Sequence, residues 1–225
     1  MRFQASEVAS AIGGRLDGPD VVVEGVTIDS RSVPSAALFV PLVGARDGHE
    51  YIADARAAGA AAYVTAQPPV GGTAIVVDDT AAALTALGRV ARERVSGPVV
   101  GVTGSVGKTS VKDLAAAALG SVRRVHANLR SFNNELGLPL TLANAPDDVE
   151  VVIVEMGARG VGHIAELCAV ARPTVGVVTA VALVHSELFG TIDQVARTKG
   201  ELIEAVRAGT PSNRNDPAYP DAPQT

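Results

Sequence analysis

Residues 98–110 combine an apolar run, a glycine-rich turn, a lysine and flanking hydroxyls in an order suited to gripping phosphate. The run from Pro98 to Val102 stops at Thr103-Gly104-Ser105-Val106-Gly107, and Lys108-Thr109-Ser110 then open a stretch of helical pattern. Gly104 and Gly107 lack a Cβ, so backbone N–H groups can converge on phosphate oxygens at the start of a helix. Lys108 supplies a point charge, and Thr109 puts a hydroxyl where a Mg²⁺ ion sits in such loops. The common pattern has a glycine five residues before Gly107, where this chain has Val102. The fit is therefore to a shorter form, Thr-Gly-Ser-x-Gly-Lys-Thr. The plain alternative is a glycine-rich turn between strand and helix, against which Lys108-Thr109 directly after Gly107 weigh heavily.

Other residues gain meaning from their distance to that loop. Glu155 closes the apolar run Val151-Val152-Ile153-Val154, and a carboxylate at a strand end beside a phosphate loop suits direct or water-mediated Mg²⁺ binding. His185 ends the next apolar run; alone it reads as a structural histidine, but at the adjacent strand end it is a candidate ligand for a second metal. On pattern alone Lys199 is a solvated lysine of an amphipathic helix. Asn133-Asn134 offer two amides at a helix start; capping explains one and leaves the other free to face a ligand. The clusters Asp29-Ser30-Arg31 and Asp47-Gly48-His49 follow apolar runs and read as turns, with a binding role as the alternative.

The elements that must hold these residues fall into two stretches. Up to Ser96 the pattern is a small α/β unit. It predicts a helix capped by Ser6 and running to Ile12, strands over 21–28 and 38–43, and a helix over 51–58. Short strands follow over 61–65 and 74–77, then a long helix from Asp79 or Thr80 to about Val95. Ser96-Gly97-Pro98 breaks that helix and marks a boundary between residues 1–96 and 97–208. The second stretch alternates strand and helix: strands over 99–102, 122–127, 149–155 and 175–181, helices over 108–119, 135–143, 162–170 and 192–208. Strands apolar on both faces, linked by helices, predict a doubly wound parallel sheet, with ligands at its carboxyl edge. That sheet has too few strands to look finished. Residues 209–225 hold four prolines and read as a disordered tail.

Composition narrows the class. The 225 residues are 47% hydrophobic but only 3% aromatic, with no tryptophan, so the core is built from small and β-branched side chains. A formal charge of −5 argues against a general nucleic-acid binder. The single Cys168 lies in an apolar helical stretch and reads as a core thiol. No run is long enough for a membrane span and none reads as a signal peptide, so a cytoplasmic protein, most simply a monomer, is expected.

These segments, in this order, resemble the Mur ligase family, the ATP-dependent amide-forming enzymes of peptidoglycan precursor synthesis. The short loop Thr103–Thr109 looks like that family's form. Phe132-Asn133-Asn134-Glu135-Leu136-Gly137, Glu155-Met156-Gly157-Ala158, and His185 with Phe189-Gly190 and Lys199-Gly200-Glu201 look most like its last peptide-adding branch. Asp29-Ser30-Arg31, Leu38-Phe39-Val40 and Asp47-Gly48-His49 resemble its UDP-substrate domain. The resemblance implies an N-terminal UDP-muramoyl-binding domain before an incomplete P-loop ATP-binding domain. It implies ATP and Mg²⁺ as cofactors, and UDP-N-acetylmuramoyl-tripeptide and D-alanyl-D-alanine as substrates. By the same resemblance residues 103–110 bind nucleotide, and Thr109, Glu155 and His185 hold metal. Lys108, Lys199 and His185 serve catalysis, Lys199 as the site of a carbamate. Ser30, Arg31 and His49 face the UDP end of the substrate, and Asn133 and Asn134 its pyrophosphate or peptide. The pattern departs from the family near Gly209, so the expectation is a truncated or frameshifted product, or a fragment of a longer gene, lacking the rest of the ATP-binding sheet and a C-terminal domain, and poorly active alone. Two other readings stay open. One is a different Mur-type amide ligase, such as the third-residue-adding enzyme or a folylpolyglutamate enzyme, the latter disfavoured by Asp29-Ser30-Arg31. The other is a UDP-sugar- or nucleotide-binding fragment without catalysis.

Overall fold

The structure, a computed structural model, describes residues 1–128, 132–182 and 191–209. Strand β1 (Arg2–Gln4) leads directly into helix α1 (Ala5–Ala11), whose Ala5, Val8 and Ala9 are buried. Ser6 does not cap this helix as the sequence suggests. It lies in the first turn, and the Asp20 carboxylate accepts from both its backbone N–H (2.9 Å) and its hydroxyl (2.6 Å). A tertiary acid thus does the work of a local cap.

The expected strand over 21–28 is split at Gly25, whose φ of +75° turns the chain sharply. Strand β3 (Val22–Glu24) pairs antiparallel with β1, while β4 (Val26–Thr27) joins a different sheet. That second sheet has the order β2-β7-β6-β5-β4, with β2 (Arg15–Asp17), β5 (Leu38–Phe39), β6 (Ala62–Thr65) and β7 (Ala74–Val76). All its pairings are parallel except β2 with β7. Strand β2 has no alternating signature and was not expected. A 3₁₀ turn (Gly48–Tyr51) and α2 (Ile52–Ala57) connect β5 to β6. Helix α3 (Thr80–Arg94) starts where expected, with Asp79 accepting from the amides of Ala81 and Ala82.

Beyond Ser96-Gly97-Pro98 the chain forms a parallel sheet in the order β11-β8-β10-β9: β8 (Val99–Thr103), β9 (Val125–Ala127), β10 (Val151–Glu155) and β11 (Val175–Val178). Alternation along β10 assigns its faces. Val151 and Ile153 cluster with Val111, Ala115 and Leu119 of α4 (Lys108–Gly120). Val152 and Val154 look the other way, toward α5 (Gly137–Ala143), α6 (His163–Ala171) and α7 (Ile192–Gly209). The sheet thus carries helices on both faces, as expected of a doubly wound architecture.

The linker does not divide the core. Phe3, Val8, Leu84 and Leu87 belong to one apolar cluster with Leu138, Leu142, Val152 and Ile164. Helix α5 is buried along its whole length. Polar staples reinforce the join: the Asn144 carboxamide accepts from Val26 N–H (2.9 Å) and donates to Val26 C=O (2.8 Å), standing in for a strand partner of β4. The Met1 amine donates to Ala145 C=O (2.7 Å), and Arg92 of α3 donates to Ala171 and Arg172 at the end of α6.

Candidate active site

The phosphate loop leaves the carboxyl end of β8, between its neighbours β10 and β11. Gly104 holds φ +145°, and a Cβ there would lie 2.0 Å from Thr179 Oγ1. Thr103 Oγ1 donates to Met156 C=O (2.8 Å), and Ser105 Oγ donates to Ala182 C=O (2.8 Å) while accepting from Ala182 N–H. Thr179 Oγ1 donates to Val106 C=O (2.6 Å). The loop is therefore pinned at three points by groups on the exits of β10 and β11. Lys108 Nζ donates to Gly104 C=O at 2.8 Å, folding back over the loop it would share with a phosphate. Thr109 and Ser110 are exposed on the first turn of α4.

Glu155 ends β10 buried, at 2% exposure, with both carboxylate oxygens engaged. Thr109 Oγ1 donates to Oε2 (2.7 Å) and Asn133 Nδ2 to Oε1 (2.7 Å). A hydroxyl and a carboxylate oxygen already 2.7 Å apart make a donor set of hard oxygens, which suits Mg²⁺. Asn134 is the helix-capping amide: its Oδ1 accepts from Gly137 N–H (2.9 Å). The other amide, Asn133, is held by Glu155 and lines the cleft.

Lys199 departs from its pattern reading as a solvated lysine. It is 4% exposed on α7 and lines the same cleft as Gly104, Lys108 and Asn133. Burial, followed by the nearby Lys108 charge, brings its pKa down from 10.5 to about 8. Two residues on, Glu201 accepts from the Gly162 and Ala165 amides (2.6 and 2.9 Å), capping α6 from α7 and tying Lys199's helix to the wall that carries Arg159 and His163. The cleft has a volume of about 430 Å³. His185 lies outside the described residues. Behind the site Cys168 is buried, and its thiol is pushed up to about 12 by burial, which leaves it inert as a nucleophile.

A second cleft, about 500 Å³, opens on the N-terminal unit around Asp29, Ser30, Arg31, Arg46 and Tyr51. Arg31 forms a bidentate pair with Asp29 (2.8 Å for each bond), which holds the Asp29 carboxyl down at about 2. Ile28 lines both clefts and is their common wall. His49 is not part of this surface, and here the expectation is corrected. Its ring is buried, with Nδ1 2.6 Å from Asp47 Oδ1 and Nε2 accepting from Ala66 N–H (3.0 Å). Both nitrogens are spent on holding the 3₁₀ turn against the end of β6, leaving none for a ligand.

A parallel sheet with a lysine-bearing, glycine-rich loop at its carboxyl edge, joined through a shared core to a mixed α/β unit, defines the architectural class. Family comparisons refine that class. Residues 102–221 match the Mur ligase middle domain, and residues 22–93 match the Mur ligase family catalytic domain. The chain belongs to the Mur ligase family. The middle-domain match continues past Gly209 to residue 221. Among curated relatives, the UDP-N-acetylmuramoyl-tripeptide--D-alanyl-D-alanine ligase of Bacillus subtilis is 36% identical, over 89% of this chain and 46% of its own. The MurF structure from Acinetobacter baumannii superposes with a TM-score of 0.83 at 26% identity, covering 92% of this chain and 47% of that one. The Thermotoga maritima MurF ligase, solved in complex with ADP, gives 0.71 at 34% identity, over 81% and 43%. This chain thus spans about half the length of the relatives it matches. No helix among the described residues is long and apolar enough to cross a membrane.

Proposed function

We propose that this chain carries the nucleotide-phosphate and muramoyl-peptide sites of an ATP-dependent UDP-N-acetylmuramoyl-tripeptide:D-alanyl-D-alanine ligase. In that reaction the terminal carboxylate of the tripeptide attacks the γ-phosphorus of ATP, ADP leaves, and an acyl phosphate forms. The amine of D-alanyl-D-alanine then attacks the acyl carbon, phosphate departs and an amide remains. The observation that carries this reading is convergence: Gly104, Ser105 and Lys108 of the loop, the buried Lys199 and Asn133, which holds Glu155, line one cleft, and among the described residues Ile28 alone is shared between it and the Arg31 cleft. An elongated substrate anchored at one end in the N-terminal unit would reach the phosphate loop past that residue.

The roles follow from chemistry. Lys108 would exchange Gly104 C=O for phosphoryl oxygens and, with the loop amides, stabilise charge on the group in transfer. Thr109 and Glu155 would hold one Mg²⁺, and His185 would contribute to a second; the ions would neutralise charge on phosphate oxygens. Lys199, whose pKa near 8 leaves part of it as neutral amine close to neutrality, is suited to add CO₂ and carry the carbamate that the family resemblance implies. Asn133 would present substrate to Glu155's side of the cleft. Ser30 and Arg31 would meet the UDP end.

Calorimetry with ATP·Mg²⁺ and with UDP, beside an ADP-release assay with both peptide substrates, tests the proposal. ATP·Mg²⁺ binding that disappears in Lys108→Ala, together with UDP-substrate binding, supports it. Binding of the UDP substrate without ATP would favour a non-catalytic UDP-sugar-binding part. Binding of neither would refute it.

A further inference from the structure

We infer that Asn128, held in place by the buried Lys112, is the positioning residue that aims the Glu155 carboxylate at Thr109. This deepens the reading of the phosphate site and rests on it. Asn128 directly follows β9 at 2% exposure, and three of its groups reach separate parts of the site. Its Oδ1 accepts from the Glu155 backbone N–H (2.9 Å), fixing the point where the carboxylate leaves β10. Its Nδ2 donates to Phe132 C=O (3.2 Å), fixing the residue before Asn133, and Asn133 in turn holds Glu155 Oε1. One carboxamide therefore sets both the backbone of Glu155 and one of the two donors that orient its side chain.

Lys112 supplies the third hold. Four residues beyond Lys108, it turns inward from α4 at 3% exposure and donates to Asn128 C=O (2.8 Å), with Asp113 Oδ1 2.9 Å from its Nζ. A buried ammonium is retained only where its donors are satisfied. Here the partner is the carbonyl of the residue that steadies Glu155. Helix α4 thereby reaches the site twice, through Thr109 directly and through Lys112 by way of Asn128.

Partners of this kind tune ligand groups without touching the ion, and their loss typically reduces metal affinity by about 10–100-fold. The test is calorimetric titration of ADP into the full chain with and without Mg²⁺. The readout is the ratio of the two affinities. In Asn128→Ala that ratio should fall by roughly tenfold or more, while metal-free ADP affinity, set by the loop and Lys108, stays within about twofold. A merely structural role would lower both affinities together, and that result would overturn the inference, as would an unchanged ratio. Lys112→Met keeps the aliphatic stem and releases the Asn128 carbonyl; it should lower the ratio in the same direction and by less, which decides the matter if Asn128→Ala does not fold. A wild-type chain whose ADP affinity ignores Mg²⁺ refutes the parent reading and this inference with it. A Mg²⁺-sensitive wild type whose variants keep the wild-type ratio refutes this inference alone.

Discussion

Replacing Gly104 by alanine tests whether the loop's geometry, rather than its charge, sets nucleotide affinity. The φ of +145° lies in territory that L side chains rarely enter, so an alanine there carries backbone strain of about 1–3 kcal/mol. Its Cβ would also sit 2.0 Å from Thr179 Oγ1 and 3.0 Å from Ala180 N. Rotating Thr179 away relieves the first contact but breaks its hydrogen bond to Val106 C=O, a further loss of about 1 kcal/mol. The sum, about 2–4 kcal/mol, falls on the loop conformation that must bind phosphate. If the loop escapes by changing shape, that sum appears as weaker ATP·Mg²⁺ binding, roughly thirtyfold to several hundredfold. Calorimetry on the folded variant measures it directly. Adding Thr179→Ala removes the 2.0 Å collision and leaves the Ala180 contact, so the double variant should regain part of the affinity. Wild-type affinity in Gly104→Ala, or strictly additive losses in the double variant, would show that Thr179 does not template this loop.

Three further outcomes are expected. Because the folded state releases the Lys199 proton near pH 8 and the unfolded state near 10.5, this group's contribution to stability should rise through that window as the penalty for a buried charge disappears; Lys199→Met should flatten the rise in urea midpoints. Asn144→Ala leaves both backbone groups of Val26 without their partner and should lower unfolding free energy by about 2 kcal/mol in urea titrations, a loss absent if water replaces the carboxamide. Ile28→Trp narrows the passage between the clefts and should weaken UDP-muramoyl-tripeptide binding by roughly tenfold while leaving UDP and ATP·Mg²⁺ within about twofold; equal effects on all three would refute the spanning substrate.

Legibility in the sequence followed how local each residue's signal was. The phosphate loop and Glu155 announce themselves because glycine spacing and an apolar run ending in a carboxylate are properties of adjacent residues. Asp79 was readable as a cap for the same reason, and its partners lie within three residues. The Ser6 cap failed because the acid that satisfies this helix comes from Asp20, 14 positions on and beyond β2. Lys199 hid in an amphipathic pattern: a lysine on a helix facing a cleft has the same spacing as one facing solvent. His49 misled in the opposite sense, since a histidine after a strand looks available until Ala66, 17 positions on, is seen to occupy Nε2. Lys112 did carry a signal. It follows Lys108 by four positions, so it lies on the face of α4 that already points at the site, while Asn128 and Thr179 each directly follow a strand at the sheet's carboxyl edge.

The continuous core bears on how the two clefts cooperate. Had the linker at Ser96-Gly97-Pro98 separated two independent cores, the distance from Arg31 to Lys108 would depend on a hinge, and a spanning substrate would have to order it. Instead α3 packs on α5 and α6, and Asn144, the Met1 amine and Arg92 each bridge the units through backbone groups. Separation of the clefts is then a property of side-chain packing, set when the chain folds. A substrate of fixed length that spanned the clefts would reach the phosphate loop without ordering these two units against each other, and the conformational entropy it had to overcome would be correspondingly smaller. Ile28 is where that economy is exposed, because it is held by the same core yet forms the wall of both clefts.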